Sequence, residues 1–220
     1  KNLSKNYKKI SVLDNVSIDL DIGEVVGLLG PNGAGKTTCF YIIAGLIKPD
    51  NGKVNIGKTN ITGYPVYERA RIGLGYLPQE MSIFKGLSVE DNLLSIIETK
   101  EFDNHKRYQI LEDLLVEFNI TKIRSSLGIS LSGGERRRVE IARCIASNPT
   151  HILLDEPFSG IDPIAIQDLK NLIEYYFKRL DNVLLSNYYI EFELQLHNCI
   201  MVKIIFYTFS TNLKITHFFS

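Results

Sequence analysis

The chain has no tryptophan, and its 220 residues hold only two methionines and three cysteines. Cys39, Cys144 and Cys199 lie far apart without metal-ligand spacing, which argues against a disulfide framework and for a reducing compartment. Neither sign of charge is in excess. With 25 Lys+Arg against 25 Asp+Glu the formal net charge is zero, so nothing marks a footprint for nucleic acid or anionic lipid. No apolar run approaches the ~20 residues that a membrane span needs. The first residues carry no apolar core of an export signal. The expectation is a soluble, intracellular globular protein with one sizeable core, or one core and a smaller lobe. Glycine, proline and alanine also stop early: the last are Gly160, Pro163 and Ala165. Asp181–Ser220 has none of the three and is rich in Phe, Tyr, Ile and Asn.

What is present is patterned. Val16, Ile18, Leu20 and Ile22 alternate with polar residues and predict a half-buried strand. Glu24–Leu29 (EVVGLL) is a continuous apolar run, the mark of a strand buried on both faces. It enters a Gly-rich turn, after which Lys36–Ala44 reads as a helix closed by Gly45. Val54–Ile56 and Leu74–Leu77 read as short strands, and from about Met81 to Ser147 apolar residues recur at helical spacing. Strand texture returns at His151–Leu154, a helix opens at Asp162-Pro163, and Val183–Leu185 is a last buried strand. Buried strands alternating with helices imply an α/β fold with a sheet covered on both faces.

Three motifs carry chemistry. Gly30-Pro31-Asn32-Gly33-Ala34-Gly35-Lys36-Thr37 fits G-x-x-x-x-G-K-[ST] between a buried strand and a helix. Its backbone N–H groups can curl round an anion, Lys36 reaches the β/γ-phosphates, and Thr37 offers a hydroxyl to Mg²⁺. Asp155-Glu156 closes the strand at His151–Leu154. Alone, such a pair reads as a solvated turn; behind a phosphate loop, Asp155 suits a water-mediated Mg²⁺ ligand and Glu156 a base for an attacking water. Leu131-Ser132-Gly133-Gly134-Glu135 is a capping box at the head of a helix, and its paired glycines leave N–H groups open to an anion. Arg136, Arg137 and Arg138 read as an ordinary solvated face.

These motifs, in this order, resemble the ATP-binding subunits of ABC transporters, from the first residue to about Val202. The resemblance implies an ABC-type P-loop ATPase core with a mixed sheet over 1–80 and 148–202. It further implies a helical subdomain over 81–147 ending in the LSGGE helix, and leaves 203–220 as a divergent tail. GYLPQEMSIFKGLSVEDNL, SLSGGERRRVEIAR and ILLDEPFSGIDPI are similar to the ATPases of lipopolysaccharide export, more than to those of branched-chain amino-acid importers. By the same resemblance ATP lies in a head-to-tail homodimer, between Gly30–Thr38 (Thr38 included) of one protomer and Ser132–Glu135 of the other. Tyr7 stacks on adenine, and Lys36 neutralises phosphate charge. Thr37, Gln79 and Asp155 surround Mg²⁺, Glu156 activates water, and Ser159–Asp162 crosses the dimer. Met81–Leu93 receives transmembrane permease subunits at the cytoplasmic face of the inner membrane, without insertion of this chain and without nucleic acid. Ile83, Phe84 and Leu87 fit that groove or internal packing equally well.

Two departures stand out. Where the family has histidine after the last core strand, this chain has Tyr188; His197 falls later and reads as a surface or packing residue. Tyrosine hydrogen-bonds but, with a pKa near ~10, is no proton switch at neutral pH. For Lys203–Ser220 three readings stay open: an added strand, a dangling aggregation hazard, or a decayed reading frame.

Overall fold

The structure, a computed structural model, describes residues 1–20, 24–31, 33–177, 182–186, 202–206 and 216–218. Its centre is a six-stranded sheet. Strands β3 (Glu24–Leu29), β6 (Leu74–Leu77), β7 (His151–Leu154), β8 (Asn182–Ser186), β9 (Val202–Phe206) and β10 (Thr216–Phe218) lie in the order β10-β9-β3-β8-β7-β6. All neighbouring pairs are parallel except β10 with β9. Val202–Phe206 and Thr216–Phe218 thus extend the sheet beyond β3. Tyr188 and His197 lie outside the described residues, as does Asn32.

Side chains of β7 alternate between two cores, as the pleat dictates. Leu153 joins Val26, Leu28, Phe40, Ile42 and Ile61 on the face covered by α1 (Lys36–Ala44). Ile152 and Leu154 face the other way, onto a core built by α3 (Val89–Ile97), α4 (Asn104–Glu117), α5 (Gly133–Ala146) and α6 (Pro163–Phe177). Leu93, Leu111, Leu115, Phe118 and Val139 fill that second core at 0 % exposure each.

An antiparallel hairpin, β1 (Leu3–Tyr7) and β2 (Ile10–Val16), lies beside the α1 face. This corrects the expected strand at Val16–Ile22 over Ser17–Leu20; Ile22 lies outside the described residues. The hairpin strand ends at Val16, and Ser17–Leu20 continue without strand structure, while Ile18 and Leu20 still pack on the core. The alternation reports one buried face and not a ladder. Two register shifts and the left-handed Asn15 (φ 53°) bend the chain out of the pairing there. A small hairpin, β4 (Asn55–Ile56) and β5 (Thr59–Asn60), and the helix α2 (Val66–Arg71) complete the path to β6.

The carboxyl end of α1 is held by charge. Arg69 on α2 is 1 % exposed, and its guanidinium donates to the carbonyls of Ile42, Ile43, Tyr64 and Thr62 at 2.6–3.0 Å. The cation therefore sits at the negative end of the helix dipole and satisfies its last carbonyls. Gly45 makes this possible: at φ 89° it turns the chain, and a Cβ there would fall 2.7 Å from Arg69 Nε. Arg69→Met should lower the unfolding free energy by about 3 kcal/mol or more, since it strands several buried carbonyls at once; urea denaturation with an unchanged m-value is the check.

Candidate functional site

The turn between β3 and α1 is a loop of backbone donors. Gly33 and Gly35 adopt φ of 81° and 82°, and α1 begins without a side-chain cap, so its first N–H groups face the loop mouth. Gly35 has a second reason to be glycine: a Cβ would lie 2.6 Å from the Val12 carbonyl of β2. Lys36 is 7 % exposed, and its ammonium donates to the carbonyls of Gly30 (2.6 Å) and Pro31 (3.0 Å). Its charge is thus folded over the loop where an anion would lie. Thr37 and Thr38 follow in the first turn, both part-buried. Tyr7, at the end of β1, is 46 % exposed with Lys5 Nζ 5.8 Å from its ring centroid.

At the carboxyl end of β7, Asp155 has the parity of Leu153, so it sits on the α1 face, and it is 1 % exposed. Glu156 breaks the strand with φ 46°, a conformation rare for a residue with a side chain. Its Oε2 accepts a 2.7 Å hydrogen bond from Gln79 Nε2, which brings the segment after β6 onto the carboxylate turn.

Ser132 caps α5 in a reciprocal box with Glu135, which accepts from the Ser132 hydroxyl (2.7 Å) and backbone (2.9 Å). Those bonds hold the Glu135 carboxyl below its ordinary range. Gly133 is exposed, and a Cβ on it would come to 3.5 Å from the Gly160 carbonyl. The phosphate loop opens α1 on one face of the sheet while Ser132–Glu135 open α5 on the other.

The arginine run is not one solvated face. Arg137 is 6 % exposed and donates to the carbonyls of Pro157 (2.8 Å), Pro78 (3.0 Å), Glu156 (3.3 Å) and Asp155 (3.4 Å), and to Glu140 Oε2 (3.2 Å). Glu140, 4 % exposed, turns its other oxygen to the N–H groups of Ser82 (2.7 Å) and Ile83 (3.3 Å). Sequence reasoning missed this pair. The signal was phase: Arg137, Glu140 and Ile141 share one helical stripe, so the cation belongs to the buried face.

Beyond Gln79, the segment is stapled by buried polar groups. Asn92 on α3, 0 % exposed, donates to the carbonyls of Phe84, Leu87 and Ser88 and accepts from Phe84 N–H. Arg143 lies 4.4 Å over the Phe84 ring. Ile83 is core, while Met81, Phe84 and Leu87 are exposed beside Leu127 and Ile129. Backbone bonds from Gly128 to Leu87 and from Ile129 to Lys85 make these one surface.

A glycine-turned loop backed by a strand, a lysine folded over it and a carboxylate turn at the next strand's end define a P-loop nucleotide-binding cassette. The chain belongs to the ABC transporter family, whose profile matches residues 13–159, and is an ATP-binding subunit of that family. It is 53% identical over 186 residues to a probable ABC transporter ATP-binding protein of Azorhizobium caulinodans, covering 84% of this chain but 66% of that protein. It is 50% identical to the lipopolysaccharide export system ATP-binding protein LptB of Haemophilus influenzae (85% of this chain, 78% of that one) and 52% to LptB of Escherichia coli K12 (80% and 73%). Among solved structures it superposes at TM-score 0.82 and 26% identity on the ATP-binding cassette MJ0796, a dimer in a post-hydrolysis state with ADP and Pi, covering 94% of this chain and 93% of that one. Against the ADP conformation of MJ1267 the TM-score is 0.76 at 25% identity, with coverage of 94% and 85%. No helix among the described residues is long and apolar enough to cross a membrane.

Arg137→Met leaves Glu140 as an uncompensated buried charge and should cost about 3–5 kcal/mol of unfolding free energy. The double variant Arg137→Met/Glu140→Met should recover a large part of that loss, and a double-mutant cycle in urea reads the difference.

Proposed function

We propose that the chain hydrolyses ATP to drive a lipopolysaccharide exporter. The observation that carries hydrolysis is the placement of Glu156, held by Gln79, on the turn that follows Asp155. A phosphate binder without chemistry has no use for a second carboxylate at a left-handed, strained position. Lys36 exchanges the Gly30 and Pro31 carbonyls for phosphate oxygens, and the N–H groups of Gly33–Thr38 with the α1 terminus stabilise the charge that develops. Glu156 accepts the proton of the attacking water once Gln79 releases it. Thr37, Gln79 and Asp155 supply hard oxygen donors, the chemistry Mg²⁺ selects. When bound, the ion offsets phosphate charge.

The cargo is supported by the LptB relatives at 50 and 52% identity. Residues 1–80 with 148–202 act as the ATPase core and 81–147 as a helical lobe, while of the divergent stretch 203–220 the strands β9 and β10 join the core's sheet. Two copies pair head to tail, so that Ser132–Glu135 of one covers ATP on the phosphate loop of the other, with adenine on Tyr7. The exposed Met81, Phe84 and Leu87 surface, within Met81–Leu93, receives the permease subunits and keeps the chain peripheral on the cytoplasmic face of the inner membrane. Co-purification with a lipopolysaccharide permease pair tests the assignment of partner.

Glu156→Gln should bind ATP as the unaltered chain does and lose turnover by ~10²-fold or more. Phosphate release and nucleotide binding measured side by side check it, and undiminished turnover removes Glu156 from the chemistry. A second reading, an ATP-binding subunit impaired in hydrolysis, is favoured by Tyr188 in place of the family's histidine. On the reading proposed here Tyr188→His changes turnover only severalfold. A rise of about a hundredfold, the worth of one transition-state donor, decides for the impaired subunit.

A further inference from the structure

The sheet beside the carboxylate turn holds a hydroxyl that the mechanism above does not use. Tyr76, on β6, pairs with Leu153 of β7 and packs with it on the α1 face. Two residues further along β7 on that face is Asp155, so the register sets the Tyr76 ring alongside the buried carboxylate. The Tyr76 hydroxyl is buried and finds no hydrogen-bond partner among the described residues. The charges that bear on it are those of Asp155 and Glu80, with Tyr41 of α1 beside them. A hydroxyl taken out of water with nothing to bond is costly, and phenylalanine would fill the same space without that cost. Such a group takes its hydrogen bond from outside the protein, and a water is the simplest partner.

We propose that Tyr76 is a positioning residue for a hydrated divalent cation: its hydroxyl hydrogen-bonds a water that Asp155 holds in the metal's shell. The inference rests on the metal-dependent reading of the site given above. Mg²⁺ keeps several of its waters when it binds through one or two carboxylates, so a site of this kind needs outer groups to orient them. Such outer groups are commonly worth ten- to a hundredfold in metal affinity. Tyr76 has what that task requires: a rigid ring fixed by the core, with one polar atom at its tip and no competing bond.

The test uses the full chain with ADP, and Mn²⁺ as the probe, with free Mn²⁺ followed by electron paramagnetic resonance. Tyr76→Phe should bind Mn²⁺ about tenfold more weakly in the presence of ADP. Its affinity for ADP in chelator should be unchanged, and its thermal midpoint without ligand should equal or exceed that of the unaltered chain. Unchanged Mn²⁺ affinity with a raised midpoint overturns the proposal and makes the hydroxyl a tolerated packing fault. Weaker ADP binding in chelator also overturns it, by moving the effect to the phosphate loop. If the unaltered chain with ADP takes up no Mn²⁺, the metal-dependent reading fails and the role of Tyr76 with it.

Discussion

One buried cation organises the half of the molecule that carries the carboxylate turn. The Arg137 guanidinium has left water, and only a full set of acceptors makes that tolerable. It finds four carbonyls and one carboxylate: three of the carbonyls belong to Asp155, Glu156 and Pro157, and the fourth to Pro78. Glu140 completes the arrangement by gripping Ser82 and Ile83. The helix α5, the segment after Gln79 and the carboxylate turn are therefore one mechanical body. The positive φ of Glu156 persists because these neighbours over-determine the turn.

The other half is organised around α1, and β7 serves both. Leu153 of β7, and Asp155 just past its end, lie on the side of α1, while Ile152 and Leu154 point to the core that holds α5. A single short strand thus leads into a buried carboxylate on one face and anchors α5 on the other. At the far end of α1, Arg69 does by charge what a helix terminus needs. The two arginines solve the same problem, carbonyls without donors, at opposite ends of the machinery.

Chemistry that needs contiguous residues was legible in the sequence; chemistry assembled across the sheet was not. Gly30–Thr37 announces itself because curling round an anion requires glycines at set spacing. The expected bounds Lys36–Ala44, Leu74–Leu77 and His151–Leu154 coincide with α1, β6 and β7, since each apolar run is closed by glycine, proline or a charged residue. The alternation at Val16–Leu20 misled because a core-facing stretch of irregular chain shows the same period as a strand. Arg137 was hidden among three arginines, and only its helical phase with Glu140 and Ile141 sets it apart. Nothing local marks Tyr76: its meaning depends on register with a strand far along the chain.

The contact behind Gly35 links two parts of the molecule that look separate. The loop's backbone rests on the Val12 carbonyl with no room for a methyl group between them, and the same hairpin ends at Tyr7. The hairpin therefore acts as a rigid link, with its β2 strand pressed against the glycine loop and its turn beginning at Tyr7. A displacement of the loop backbone at Gly35 must push on β2 at Val12, and so on the strand that pairs with Tyr7.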